Sequence, residues 1–334
     1  MKFLAAVAGV VILGSTALAQ APQQPAAVPP STGPGGTSVS ILHLNVASMD
    51  RSLALYRDAL GFEVTTAPRE PRAGGALVSD PGAMLRTAVI KAPASSFSME
   101  LVEWTGTALR PQQARIQDPG AIMLAMTVSD IDAKLVAMAK HQGTRVLTAG
   151  GRPYVATGRG GENRAVMVQD ENGFVIELVQ NAGAQGPLSN VSIYLTVADL
   201  AQTVNFYNKV LGFTMMPPAA AAPVNERVAQ LFNNMSLGTM RTARGTFPGS
   251  SQQIIFQEFG AADRRPPLRH RVQDPGGPIF TMNVNDFPAV MAAVRANGGI
   301  IGDGEASATL APDARASWVR DPNGLLIRMA APAR

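Results

Sequence analysis

Three histidines, no cysteine and few carboxylates restrict the chemistry open to this 334-residue chain. His43 stands in Ile41-Leu42-His43-Leu44-Asn45-Val46, where polar and apolar residues alternate with the period of a strand that has one apolar face. Glu100 and Glu177 stand in strand-like apolar runs, 97–104 and 175–179, and each is followed by leucine. Imidazole and carboxylate on the polar face of a sheet can exchange protons or offer nitrogen and oxygen to a metal. Thiol chemistry and disulfides are excluded by composition, and nothing matches a Ser-His-Asp set, a phosphate loop or a dinucleotide fingerprint. Gly158-Arg159-Gly160-Gly161 precedes a strand rather than a helix and reads as a turn. His141 falls near a helix C-terminus, where it would offset the helix dipole. His270 lies in an Arg- and Pro-rich linker and is expected to be solvated.

The elements that must position these groups repeat. After the first strand, Leu53, Tyr56 and Leu60 fall at helical spacing until Gly61-Phe62 stops the helix. The same order returns as 192–197, then Val204, Tyr207 and Leu211, then Gly212-Phe213. Two further copies begin at Ile122 and Ile279, with Asp130 and Asp286 as N-caps and Gly143 and Gly298 as stops. Those two are preceded by matching linkers, Arg115-Ile116-Gln117-Asp118-Pro119-Gly120 and Arg271-Val272-Gln273-Asp274-Pro275-Gly276. Hairpins close them at Asp170-Glu171-Asn172-Gly173 and Asp321-Pro322-Asn323-Gly324. Each module is thus a strand, a helix and two or three strands, and a pair of modules has been duplicated. The third carries an insert, roughly 215–251, expected to form a lid or a surface excursion.

Met1-Lys2, the uncharged apolar run from Phe3 to Gly14 and Ala17-Leu18-Ala19 have the form of a secretory leader over 1–19. Residues 20–37 are Pro, Ala, Gly and Gln without periodicity, the composition of a disordered tether. A periplasmic or secreted protein is expected, with no membrane span once the leader is cut. The net charge is only +4, and the cluster Arg264, Arg265, Arg269 and Arg271 is interrupted by prolines, which argues against nucleic-acid binding.

Strand, helix, Gly-Phe, Asn-Gly hairpins and Glu-Leu pairs, taken together, resemble the vicinal oxygen chelate superfamily of glyoxalases, bleomycin-resistance proteins and extradiol dioxygenases. The resemblance covers about 39–331. It implies an α+β fold in which paired βαβββ modules form curved mixed sheets around a bowl, with helices outside, in two tandem domains. The domains would be 38–182, with modules one and two, and 188–332, with modules three and four. Whether modules pair in that order or exchange partners is left open.

Carried over from the family, the ligand positions of the first pair are His43, Glu100, Ala125 and Glu177. The resemblance therefore implies a divalent metal (Mn, Fe, Ni or Zn) on His43, Glu100 and Glu177, with Glu177 also the catalytic base. Asn45, Ala125 and Thr127 would face the bound group. The same positions of the second pair, Tyr194, Ile255, Thr281 and Arg328, imply no metal there. The function implied is that of a metal-dependent lyase or isomerase of glyoxalase type acting on a small oxygenated molecule. Ring-cleaving oxygenation is disfavoured by Ala125, which stands where the second histidine of such a site would be. The alternative is a non-catalytic protein that binds or sequesters a small molecule. In that alternative His43 is hydrogen-bonded to Glu100 or Glu177, and one carboxyl is protonated or paired with Arg164. Self-association through sheet edges is a further partner class, on which the sequence is silent.

Overall fold

The computed structural model describes residues 36–158, 161–261, 263–302 and 316–331. The expected leader and nearly all of the tether lie outside these residues, as does the centre of the Gly158–Gly161 turn. Module one comprises β1 (Gly36–Val46), α1 (Met49–Leu53) running into a π-helical segment (Ala54–Leu60), β2 (Glu63–Thr66), β3 (Arg72–Ala73), α2 (Gly75–Val78), β4 (Met84–Lys91) and β5 (Ser98–Thr105). Module two comprises β6 (Ile122–Thr127), α3 (Ile131–Met138), β7 (Arg145–Val146), β8 (Tyr154–Gly158), β9 (Gly161–Gln169) and β10 (Val175–Gln180). Module three comprises β11 (Ser189–Thr196), α4 (Leu200–Leu211), β12 (Ala222–Pro223), α5 (Glu226–Leu231), β13 (Thr239–Thr246) and β14 (Gln253–Phe259). Module four comprises β15 (Pro278–Val284), α6 (Phe287–Ala296), β16 (Ile300–Ile301), β17 (Ala316–Arg320) and β18 (Leu326–Ala330).

Local chemistry explains the helix ends. Asp130, Asp199 and Asp286 each accept a backbone N–H three residues on, closing the first turn of α3, α4 and α6. Gly61 and Gly212 end their helices with φ of 93° and 74°, a conformation that a β-carbon makes costly.

The strands form two nine-stranded sheets, as the α+β expectation requires, but the partners are exchanged. One sheet joins modules one and four through the antiparallel pair β1 and β15, with Ile41 opposite Thr281. The other joins modules two and three through β6 and β11, with Ala125 opposite Ser192. Each expected domain is therefore divided between the sheets. What consecutive modules share is helix packing, the π-helical extension of α1 against α3, and α4 against α6. The apolar strand faces carrying Leu42 and Leu44, Ile122 and Leu124, Ile193 and Leu195, and Phe280 and Met282 join the helices in one core.

Buried polar ties hold the two sheets in register. Tyr56 donates its hydroxyl to Asp170, and Tyr207 donates to Asp321, both at 3.2 Å. Asn172 accepts the Ala47 N–H and Asn323 the Ala198 N–H, both at 2.8 Å. The linkers cross back to back, since Asp118 accepts the Arg265 N–H and Asp274 the Arg110 N–H. These contacts explain why the Asp-x-Asn-Gly hairpins recur at matching places.

Two expectations are corrected. His270 is buried rather than solvated, with its ring against Gly277 and its carbonyl accepting from the fully buried Arg320. The insert is neither a lid over open space nor an excursion. Val228, Leu231, Phe232 and Leu237 pack into the bowl of modules two and three, and Ala243 and Phe247 join the main core.

Asn172→Ala and Asn323→Ala should each lower stability by about 1–3 kcal/mol, because each leaves a backbone N–H without its acceptor. Urea denaturation of both variants tests this, and a loss in only one would contradict the equivalence of the two ties.

Candidate functional site

The bowl of modules one and four has a polar floor. In the parallel pair β1 and β5 His43 is level with Glu100, and in β15 and β18 Thr281 is level with Arg328. Side chains level with one another on neighbouring strands point to the same face. His43 Nδ1 lies 2.6 Å from Glu100 Oε2, and Nε2 lies 2.6 Å from Thr281 Oγ1. Nδ1 is hydrogen-bonded to the carboxylate, and Nε2 to the threonine hydroxyl. The His43 and Glu100 side chains remain 18% and 21% exposed, so the floor is in reach of solvent. Burial pushes the Glu100 carboxyl up. The hydrogen bond and charge of His43, a hydrogen bond with Thr87 and the charge of Arg72 outweigh it and hold the carboxyl below its ordinary value. Burial pulls the Arg328 guanidinium down, and the charge of Glu100 opposes that.

Glu177 is elsewhere. It lies on β10, level with Ala125 on β6, and faces the bowl of modules two and three. That bowl is filled by α5 and the residues after it, together with Tyr194, Ile255, Met123 and Met167. Glu177 is 0% exposed, and neither carboxyl oxygen has a hydrogen-bond partner. Burial pushes its carboxyl up to about 8, against the opposing charge of Arg227 on α5. Burial, then the charge of Glu177, raise Tyr194, while Arg244 and Arg227 oppose the rise.

The structure thus brings together His43 and Glu100 of the expected metal set and leaves Glu177 in a different bowl. Of the expected contact residues, Asn45 shares the sheet of His43, but its amide nitrogen is given to the carbonyls of Val272 and Gly277 at 2.8 and 3.3 Å. Ala125 and Thr127 belong to the other sheet. Arg164 pairs with Asp132, not with a carboxylate of the floor. The expected metal does not fit what is here. Both His43 nitrogens are engaged, one carboxylate is present, and Arg328 places a positive charge where a further anionic ligand would stand. Among the described residues no group of three His, Asp or Glu side chains could hold an ion. Thr281 and Arg328 complete the floor. The signal that could have found them is the crossing of the two matched linkers, which carries each module away from its neighbour in sequence.

Glu177 makes stability depend on pH with a definite sign. Its carboxyl keeps a proton in the folded chain up to about 8 but loses it at ordinary carboxylate pH when unfolded, so stability is lost as pH rises through that interval. Asp170, pushed up to about 6 by burial, acts in the same sense at lower pH. Between pH 6 and 8 wild type should lose up to about 1.4 kcal/mol per pH unit through Glu177, and Glu177→Gln should remove that slope. Urea denaturation across this range measures it, and equal slopes in the two proteins would contradict the buried, protonated carboxyl.

Comparison with known proteins supports the fold. Residues 38–178 match the profile of the Glyoxalase/Bleomycin resistance protein/Dioxygenase superfamily. Glyoxalase I of Zea mays superposes with a TM-score of 0.53 at 16% identity, over 88% of this chain and 92% of that one. A mutant of the same maize enzyme gives 0.52 at 16% identity, over 88% and 92%. At this identity the likeness carries the fold and not the activity. None of the curated proteins matches the sequence significantly. Residues 38–178 thus carry the sequence pattern of the Glyoxalase/Bleomycin resistance protein/Dioxygenase superfamily, and the likeness of the whole chain to glyoxalase I is one of fold.

Proposed function

We propose that this protein is exported to the periplasm or beyond, and that it holds a small oxygenated molecule in the bowl of modules one and four without a divalent metal. The observation that carries this reading is the contrast between the two floors. His43 and Glu100 are partly open to solvent, whereas Glu177 is sealed beneath the chain's own helix α5. A binding site needs a concave surface with a few convergent polar groups and an apolar wall, and in the first bowl the paired imidazole and carboxylate are accessible. Beside the floor Val102, Trp104, Ile279, Trp318 and Leu326 form one buried apolar cluster, against which the body of a ligand would pack.

A second reading, in which the bowl turns its ligand over, is favoured by the His43 and Glu100 pair. A carboxylate on Nδ1 fixes the imidazole tautomer and leaves Nε2 as the atom that would take a substrate proton. For that, the substrate must displace the Thr281 hydroxyl from Nε2. The binding reading requires no such exchange.

Metal retention tests the metal-free part. After incubation with Zn, Ni or Mn and desalting, the protein should keep well below one equivalent. Stoichiometric retention that His43→Ala abolishes would overturn it. Ligand binding can be followed without labels, because the chain has two tryptophans and both belong to the cluster beside this floor. A ligand of this bowl should change tryptophan emission saturably, and a ligand that binds without doing so would place the site elsewhere.

A further inference from the structure

Resting on that reading of the bowl, we infer that its ligand is an organic carboxylate with an apolar body, held through its anion by Arg328. Arg328 projects from β18 level with Thr281, whose hydroxyl meets His43. It is half-buried, yet among the described residues its guanidinium has no hydrogen bond and no ion pair. A partly desolvated cation without a partner is costly, and an anion that restores the lost hydration is the simplest relief.

The surrounding charges agree. Of the acids on the strands of this bowl, Glu100 faces the floor, and its charge is already engaged by His43 and felt by Arg72 as well as Arg328. Arg72 stands opposite Leu85 on β4, which is itself opposite Trp104, so its side chain starts from the same face. At the rim Lys91 is opposite Glu63, and these two offset one another. Arg320, a further cation on this face, gives donors to the carbonyls of Gly324 and His270. The floor therefore carries a positive surplus, and Arg328 is its half-buried cation with donors to give, Arg72 being exposed.

Geometry narrows the anion. A guanidinium offers parallel N–H groups in one plane, which match the two oxygens of a carboxylate. Directly opposite Arg328 on β17 is Trp318, whose indole N–H is held by the Leu77 carbonyl at 3.2 Å. That hydrogen bond fixes the ring next to the cation, where with Leu326 and Ile279 it belongs to a buried apolar cluster. A molecule with a carboxylate at one end and an apolar body at the other satisfies both.

Benzoate and its uncharged isostere benzamide test the inference, with tryptophan emission of the full chain as readout. Benzoate should bind saturably and more weakly as salt is raised, while benzamide should bind at least about tenfold more weakly. Arg328→Gln should lose about tenfold or more for benzoate, Arg328→Lys should recover part of it, and Glu177→Gln, in the other bowl, should change nothing. Circular dichroism confirms that each variant is folded. Equal binding of benzoate and benzamide, or undiminished benzoate binding by Arg328→Gln, would overturn the carboxylate assignment while leaving the bowl as the binding site. Failure of benzoate and of a series of aliphatic carboxylates to perturb wild type would also overturn it. The uncharged members of the same series then decide whether the bowl reading falls too.

Discussion

Antiparallel pairing of the first strands of non-consecutive modules is the constraint on which the rest of this structure depends. β1 lies against β15 and β6 against β11, so each curved sheet is assembled from parts of the chain far apart in sequence. Side chains that face a bowl are contributed at fixed register by two modules. Which modules these are decides which charges meet. Joining one with four puts a histidine, a carboxylate, a threonine and an arginine on one floor. Joining two with three puts a lone carboxylate under a helix. The buried tyrosine, aspartate and asparagine ties, repeated with equal distances, fix this arrangement through the helices rather than through the sheets.

The two bowls have diverged in opposite physical directions. In the first, a guanidinium supplies positive charge at the centre, and the imidazole is satisfied by a carboxylate on one side and a hydroxyl on the other. In the second, apolar residues of the insert exclude water, so that the remaining carboxyl keeps its proton up to about 8. Neither arrangement offers the several convergent lone pairs that a divalent cation needs. A duplicated scaffold can thus keep its shape while the chemistry of each floor is rewritten by a few side chains.

Much of the fold was legible because its signals are local. Alternation at 41–46, the helical spacing of Leu53, Tyr56 and Leu60, the glycine stops at Gly61 and Gly212 and the aspartate caps each depend on neighbours in sequence and are found where those neighbours place them, whereas α3 ends at Met138, before the expected stop at Gly143. Glu100 beside His43 was equally legible, since both belong to one module. The partner of that pair was not. Whether Glu177 or Arg328 stands across the bowl depends on strand pairing over more than 200 residues, and no periodicity reports that. His270 misled for a similar reason. A linker rich in Arg and Pro looks solvated, yet here it crosses its twin, and the guanidinium groups of Arg264 and Arg271 are given to backbone carbonyls and to Asp274, while Arg265 and Arg269 stay exposed.

Strand exchange can be measured directly because the chain has no cysteine of its own. Ala125 and Ser192 are register partners across β6 and β11, and Ile41 occupies in module one the place that Ser192 occupies in module three. Opposed strand residues lie within the separation that a disulfide spans, roughly 4.4–6.8 Å between α-carbons. Mild oxidation of the double variant Ala125→Cys with Ser192→Cys should form an intramolecular disulfide, read as the loss of both free thiols in a monomer. The double variant Ala125→Cys with Ile41→Cys should keep both thiols. The reverse pattern would return Glu177 to the floor of His43 and Glu100 and contradict the account.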